Sequence, residues 1–378
     1  PYHFFSHACK LRIKFHSKVF NVYSYIGRMK ITRAKILIAT SIVPQILLMK
    51  FISLYPEKVE LYFSQIFYPK LFSLQQFFVD PIPFSIGDLI YLLLGVYIFY
   101  LIVRFLMKLK LPSIKILAEI GAFISVLFLI FQLSWGINYH RTPLTEKLKI
   151  QDQYSDSLLI ELTNNFVRKS NSLHNQLSKS DTLAVSIPHS KEKITELIQN
   201  SYSDLNGNRL QVPKVKASLF SLPLSYMGFA GYLNPFTLEA QVNMRMPKIN
   251  LPVTIAHEMS HQLGYAAENE ANFIGFVNAF KNKDPYIQYA AVLFGFRYCF
   301  IDLRKRNPEH AKVIIKDLNL GILKNFAESE DFWKGYKNPL EPYFKKSYDT
   351  YLKANGQKSG IKTYNQMVAF LISFDLEK

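Results

Sequence analysis

The chain has 378 residues, 49% hydrophobic and 15% aromatic, and carries a formal charge of +17 at pH 7. That length admits one large domain or two ordinary ones, and this hydrophobic content with so many aromatics is high for a soluble protein, an excess that needs a location along the chain. The two cysteines, Cys9 and Cys299, exclude a disulfide framework, and no stripe of Lys and Arg with interleaved aromatics marks a nucleic-acid reading surface.

In chain order, residues 1–28 are basic and lack both an apolar core and a small-residue cleavage site. They are expected to be an extension upstream of Met29, outside the fold. Residues 29–136 are expected to form a membrane domain of three spans, with apolar runs at 36–55, 87–107 and 116–135, close to the roughly 20 residues a helix needs to cross hydrocarbon. Lys30, Arg33 and Lys35 precede the first run, and Arg104, Lys108, Lys110 and Lys115 fill the link between the second and third. By the positive-inside rule both clusters face the cytoplasm, which puts the chain beyond residue 136 on the other side. Glu119 and Gln132 in the third run are read as helix-to-helix contacts. The stretch 56–86 reads as an external loop with an interfacial helix and no evident chemistry.

Residues 137–378 turn polar and are expected to form one extracytoplasmic domain, mostly α with a small β-sheet (α+β). Periodic apolar positions predict helices at 156–178 and 190–204, a helix from 282, and others at 310–317, 341–354 and 362–375. Short strands are expected at 214–221 and 237–243. In the second, Leu238, Ala240 and Val242 alternate with Thr237, Glu239, Gln241 and Asn243, the pattern of a half-buried strand whose edge could hold an extended peptide.

The chemistry lies in "LPVTIAHEMSHQLGYAAENEANF", residues 251–273. Pro252 suits a first helical turn, which sets His257 and His261 one turn apart on one face. Both can bind a single metal ion, and Glu258 can reach a metal-activated water as general base. Gly264 offers a left-handed end to this helix. A second helix then returns with Glu268 and Glu270, about 200° apart around the axis and so unable to face one ion together. Glu268 shares its face with Ala271 and Asn272 and is the expected third ligand, Asn272 supporting the ligands by hydrogen bonding; Glu270 is the alternative. Tyr348, Tyr351 and Tyr364 are candidate donors to an oxyanion.

HExxH followed by ExxA(D/N) resembles the gluzincin branch of zinc metallopeptidases, with Asn272 where aspartate is usual. Only six residues separate His261 from Glu268, so the link must turn tightly. The wider set "PFSIGDLIY", "WGINYHRTPL", "GYLNPFTLEAQVN" and "YLKANGQKSGIKTYNQMV" resembles a bacterial membrane family catalogued as domain of unknown function 3810. Together these resemblances imply a multi-pass protein of the bacterial inner membrane with a zincin-like domain on the periplasmic side. They imply a Zn2+ cofactor and a peptide or protein substrate. The alternative is a non-enzymatic membrane receptor or assembly factor that keeps a zinc site, for which an intact Glu258 has no use.

Overall fold

The computed structural model describes residues 33–108, 114–151, 153–203, 212–357 and 364–374. The expected extension 1–28, and with it Lys30 and Lys110, lies outside these residues. The chain is mostly helical. Three helices are long and apolar enough to cross a membrane: Arg33–Ile52, Ile86–Met107 and Ile114–Ser134. Their large side chains, among them Leu37, Leu47, Leu93, Phe99 and Leu117, point outward, as lipid-facing residues do. The first is labelled α1 (Arg33–Ile52); a π-helical stretch, Val59–Phe67, then leads into α2 (Tyr68–Val79), followed by α3 (Ile86–Lys108) and α4 (Ile114–Ser134).

The chain divides into two compact units. One comprises the described residues up to Phe51 together with Gly95–Leu133; the other is Ile52–Leu94 with the chain from Ser134 onward. In the first, Lys35 pairs with Glu119, and Ser125 Oγ lies 3.0 Å from both Ser41 Oγ and Gln45 Nε2. A Cβ on Gly121 would stand 2.9 Å from Ala39 Cβ, so α1 and α4 approach through small residues and share polar contacts. Glu119 therefore makes the expected helix-to-helix contact. Gln132 is buried, and its Oε1 has no partner.

The second unit continues through α5 (Asp156–Leu177), α6 (Lys191–Ser201), β1 (Val215–Ala217), α7 (Ser221–Met227), β2 (Gly231–Leu233) and β3 (Ala240–Val242). After these come α8 (Leu251–Gln262), α9 (Glu268–Phe280), α10 (Pro285–Arg306), α11 (Pro308–Ile314), α12 (Leu320–Gly335), α13 (Glu341–Ala354) and α14 (Tyr364–Ser373). Ser155 and Ser190 cap α5 and α6 through their hydroxyls. Leu159, Leu162, Phe166 and Leu173 form the buried face of α5, and Phe166 meets Phe276 of α9 edge-on at 6.0 Å. The core thus lies between α8, α9, α10 and α5, with Phe370 of α14 stacked on Phe273.

Three expectations change. The strand at 237–243 shortens to Ala240–Val242, because Asn234 Oδ1 draws the N–H groups of Phe236 and Thr237 into a tight turn (2.9 and 3.2 Å) and Leu238 takes a left-handed backbone (φ 52°). This strand is the middle one in the order β1-β3-β2, parallel to β1 and antiparallel to β2, so it offers no edge to a peptide. Its polar face is buried as well: Glu239 accepts from Gly87 N at 2.6 Å and Lys216 Nζ at 2.7 Å. Second, 56–86 is not a separate loop, since Tyr68 is buried and its hydroxyl donates to Gln262 O at 3.0 Å. The compact unit that holds this segment includes Ile52–Leu94. Third, α12 was not anticipated; its buried face carries Asn325 and Ser329 beside Ile322, too polar to register as apolar periodicity.

Candidate metal centre

Local sequence dictates how the two site helices meet. Pro252 lies in the first turn of α8. Gly264 takes φ +83°, and a Cβ there would stand 3.1 Å from Asn138 Oδ1 and 3.2 Å from the Tyr68 ring, so both conformation and space require glycine. The chain reverses within this short link. Gly275 lets α9 lie against α8, because a Cβ would come within 2.8 Å of His257 N.

This reversal brings His257, His261 and Glu268 together, with one ligand atom from each within 4.8 Å of the others. Glu268 Oε2 lies 3.5 Å from His257 Nε2, and its Oε1 lies 3.7 Å from His261 Nε2. His261 Nδ1 is 2.7 Å from the carbonyl of Tyr265; a proton on Nδ1 then donates outward and leaves the Nε2 lone pair facing the cluster. Tyr348 donates to Glu268 Oε1 at 2.6 Å, and the Trp135 ring meets His261 edge-on at 6.0 Å. Two imidazole nitrogens and a carboxylate oxygen, held from outside by a carbonyl and a phenol, can hold a divalent metal ion.

The electrostatics differ between the two histidines, and a metal ion would have to displace the proton of His257. Burial and the charge of His257 push His261 down to about 4, so its imidazole is neutral at pH 7. Burial alone would raise Glu268, but the two histidines and Tyr348 hold it at about 2. His257 is raised despite its burial, because Glu268 and Glu258 favour its charged form. Asn272 adds to that effect, although His257 Nδ1 itself makes no hydrogen bond.

Glu258 points into the same space without joining the three ligands. Burial pushes its carboxyl up to about 8, with His257 opposing and Glu268 adding, and its Oε2 has no hydrogen-bond partner. Its Oε1 faces Gly231, where a Cβ would stand 2.6 Å away. Glu258 and the three ligand residues line a cavity of about 660 Å³, with Asn272 beside them and walls that include Tyr91, Trp135, Phe220, Phe229 and Phe294.

Glu270 lies elsewhere. It is buried and accepts from Leu144 N at 2.6 Å, tying α9 to the segment after α4. Tyr351 lines the cavity and accepts from the Tyr139 hydroxyl at 3.2 Å, whereas the side chain of Tyr364 is outside the described part of the molecule. Sequence reasoning read Gly231 only as part of a loop or hairpin end and did not single out Gly275 or Arg141. Arg141 grips Glu60 with two nitrogens at 2.8 Å each, donates to Gly264 O at 2.9 Å and lies over the Tyr265 ring at 4.5 Å. It therefore clamps the turn between α8 and α9. Its place in "WGINYHRTPL", beside Trp135 and Asn138, was the available signal.

Neither a curated protein nor a solved structure matches the chain. A family profile described as "Protein of unknown function (DUF3810)" matches residues 63–372, a stretch that contains the whole cluster. The chain is therefore a member of the DUF3810 family.

Proposed function

We propose that the chain is a membrane-anchored zinc metallopeptidase, with His257, His261 and Glu268 as zinc ligands and Glu258 as general base. The observation that carries this reading is the convergence of three ligand atoms within 4.8 Å beside a second carboxylate, that of Glu258, all on one cavity. Two nitrogens and one oxygen are a common donor set of catalytic zinc sites, which leave a position open. When bound, zinc would supply the Lewis acidity that makes water a competent nucleophile at neutral pH. The Glu258 carboxyl, at about 8 by its burial, would be ionised beside the charge of a bound dication, so that its Oε2, free of other partners, can take the proton of the attacking water and pass it to the leaving amine. Tyr348 keeps Glu268 turned toward the histidines.

A peptide substrate is favoured by the strand next to Glu258. In the β2–β3 pair, Ala230 O accepts from Asn243 N and Asn234 N donates to Glu239 O, both at 2.8 Å. Antiparallel pairing alternates, so the main-chain groups of Gly231 and Leu233 are directed to the open side of this edge strand. Both residues line the cavity, and an extended peptide laid along them would pass Glu258. The apolar walls suit large apolar side chains.

The membrane setting of the proposal is the bacterial inner membrane, crossed three times, with the cavity on the periplasmic side. Its support is the basic link at Arg104, Lys108 and Lys115. Comparing the proteomes of cells carrying wild type and Glu258→Gln tests the reading as a whole. Membrane or periplasmic polypeptides should accumulate uncut in the variant; indistinguishable proteomes would count against a peptidase.

A further inference from the structure

A second concavity, of about 620 Å³, shares no residue with the first. Its walls come from the extended segment 184–187, the first residue of α6, the segment 245–249 between β3 and α8, and α12. Three cations line it, Lys191, Arg245 and Lys248, against one carboxylate, Glu328. Elsewhere in this unit Arg141, Lys147, Lys214, Lys216 and Arg306 each have a carboxylate within 4 Å. Among the described residues Lys191, Arg245 and Lys248 have none.

These three cations are nevertheless held in place. Lys191 Nζ donates to Met246 O at 2.9 Å and also to Met244 O; Lys248 Nζ donates to Ile187 O at 3.1 Å; Arg245 Nε donates to the Tyr336 hydroxyl at 3.0 Å. An ammonium offers three N–H donors and a guanidinium five. With two, one and one of these used, Lys191 keeps one, Lys248 two and Arg245 four. Like charges held side by side disfavour one another's charged form unless something negative answers them. The Lys191 ammonium registers this: burial and the charges of Lys248 and Arg245 lower its pKa, with only Glu192 opposing.

We infer that this concavity binds a phosphate ester, its phosphate held by Arg245, Lys191 and Lys248 and its organic body covered by Val185, Ile187, Ile249 and Phe332. Charge suits phosphate: the three cations outnumber Glu328 on the wall and the exposed Glu192 beside Lys191 and Lys248, and the positive balance answers a phosphomonoester, which carries about −1.5 to −2 at pH 7. Geometry agrees, because a tetrahedral group can accept from several donors at once, here offered by two segments, the start of α6 and 245–249, whereas a carboxylate presents its two oxygens in one plane. A soluble phosphate ester and a lipid phosphate share this chemistry. The site is independent of the metal cluster and does not rest on the peptidase reading.

The test uses the full chain in a zwitterionic detergent, with its thermal midpoint followed against added glycerol 3-phosphate or short-chain phosphatidic acid at constant ionic strength. At least one probe should raise the midpoint, and the stronger of the two identifies the source as soluble or lipid. Arg245→Gln and Lys248→Gln should each raise the half-saturating concentration roughly tenfold or more, the size expected for losing a charged hydrogen-bond donor. The Arg245 side chain is exposed and pairs with Tyr336, so its replacement leaves the fold intact. An equal shift with chloride, no shift with either probe, or wild-type responses in both variants would overturn the assignment.

Discussion

Replacing buried Glu60 with glutamine keeps the side chain's shape and removes one negative charge from between two cations, Arg141 and the more exposed Lys147. Arg141 holds both oxygens of Glu60 at 2.8 Å and Lys147 pairs with the same carboxylate, while the Glu60 and Arg141 side chains are each 9% exposed. Burial would raise the Glu60 carboxyl, but these partners outweigh it and lower it from 4.5 to about 2. A lowered native pKa means stability that is present above 4.5 and lost as the pH falls through 2. The difference of 2.5 units corresponds to about 3 kcal/mol at neutral pH, falling to less than half of that by pH 3. Orphaning one partner of a buried pair costs a similar 3–5 kcal/mol or so. Denaturation of wild type and Glu60→Gln in detergent between pH 7 and pH 3 measures the gap directly. It should be about 3 kcal/mol at pH 7 and narrow steadily on acidification. A gap under about 1 kcal/mol at pH 7, or one that does not narrow, would refute the reasoning. Because Arg141 also holds Gly264 O, the variant should bind metal more weakly too.

Gly231→Ala places a Cβ 2.6 Å from both Gln241 O and Glu258 Oε1; it should cost about 1–3 kcal/mol in thermal unfolding, and a neutral result would mean that β2 lies farther from Glu258. Glu268→Ala should surrender metal to a competing chelator far more readily than Glu270→Ala, whose cost should instead be about 1–3 kcal/mol of stability from the stranded Leu144 N–H. The reverse ranking would give the ligand role to Glu270. Alkaline phosphatase fused after Thr145 should be active; an inactive fusion, with an active cytoplasmic reporter at the same point, would invert the topology.

What the sequence made legible was what rests on local spacing. His257 and His261 are four apart, Gly264 ends their helix, and helical geometry separates Glu268 from Glu270; the structure puts Glu268 beside the histidines and Glu270 beside Leu144. The apolar spans were legible for the same reason, since twenty apolar residues need no partner to be recognised. Contacts between distant segments were not. Tyr68 reaches Gln262 across 194 residues, and nothing around "YPKLF" announces it. Alternation in 237–243 was real, yet it could not distinguish solvent from a polar partner, and Glu239 turned out to face Gly87 and Lys216. Gly231 and Gly275 matter through what approaches them, Glu258 and His257, which composition does not encode. The helix Leu320–Gly335 escaped because Asn325 is buried by pairing with the backbone of Val185, not by being apolar.

The central claim is that Glu258 does chemistry at a zinc held by other residues. Cleavage of a mixture of apolar-rich peptides by purified wild type and Glu258→Gln, brought to the same zinc content, tests it most directly. The account predicts one zinc per chain in both proteins and a cleavage rate at least about a hundredfold lower in the variant, the usual cost of losing a general base. Equal rates at equal zinc content, or no zinc retained by wild type, would contradict it.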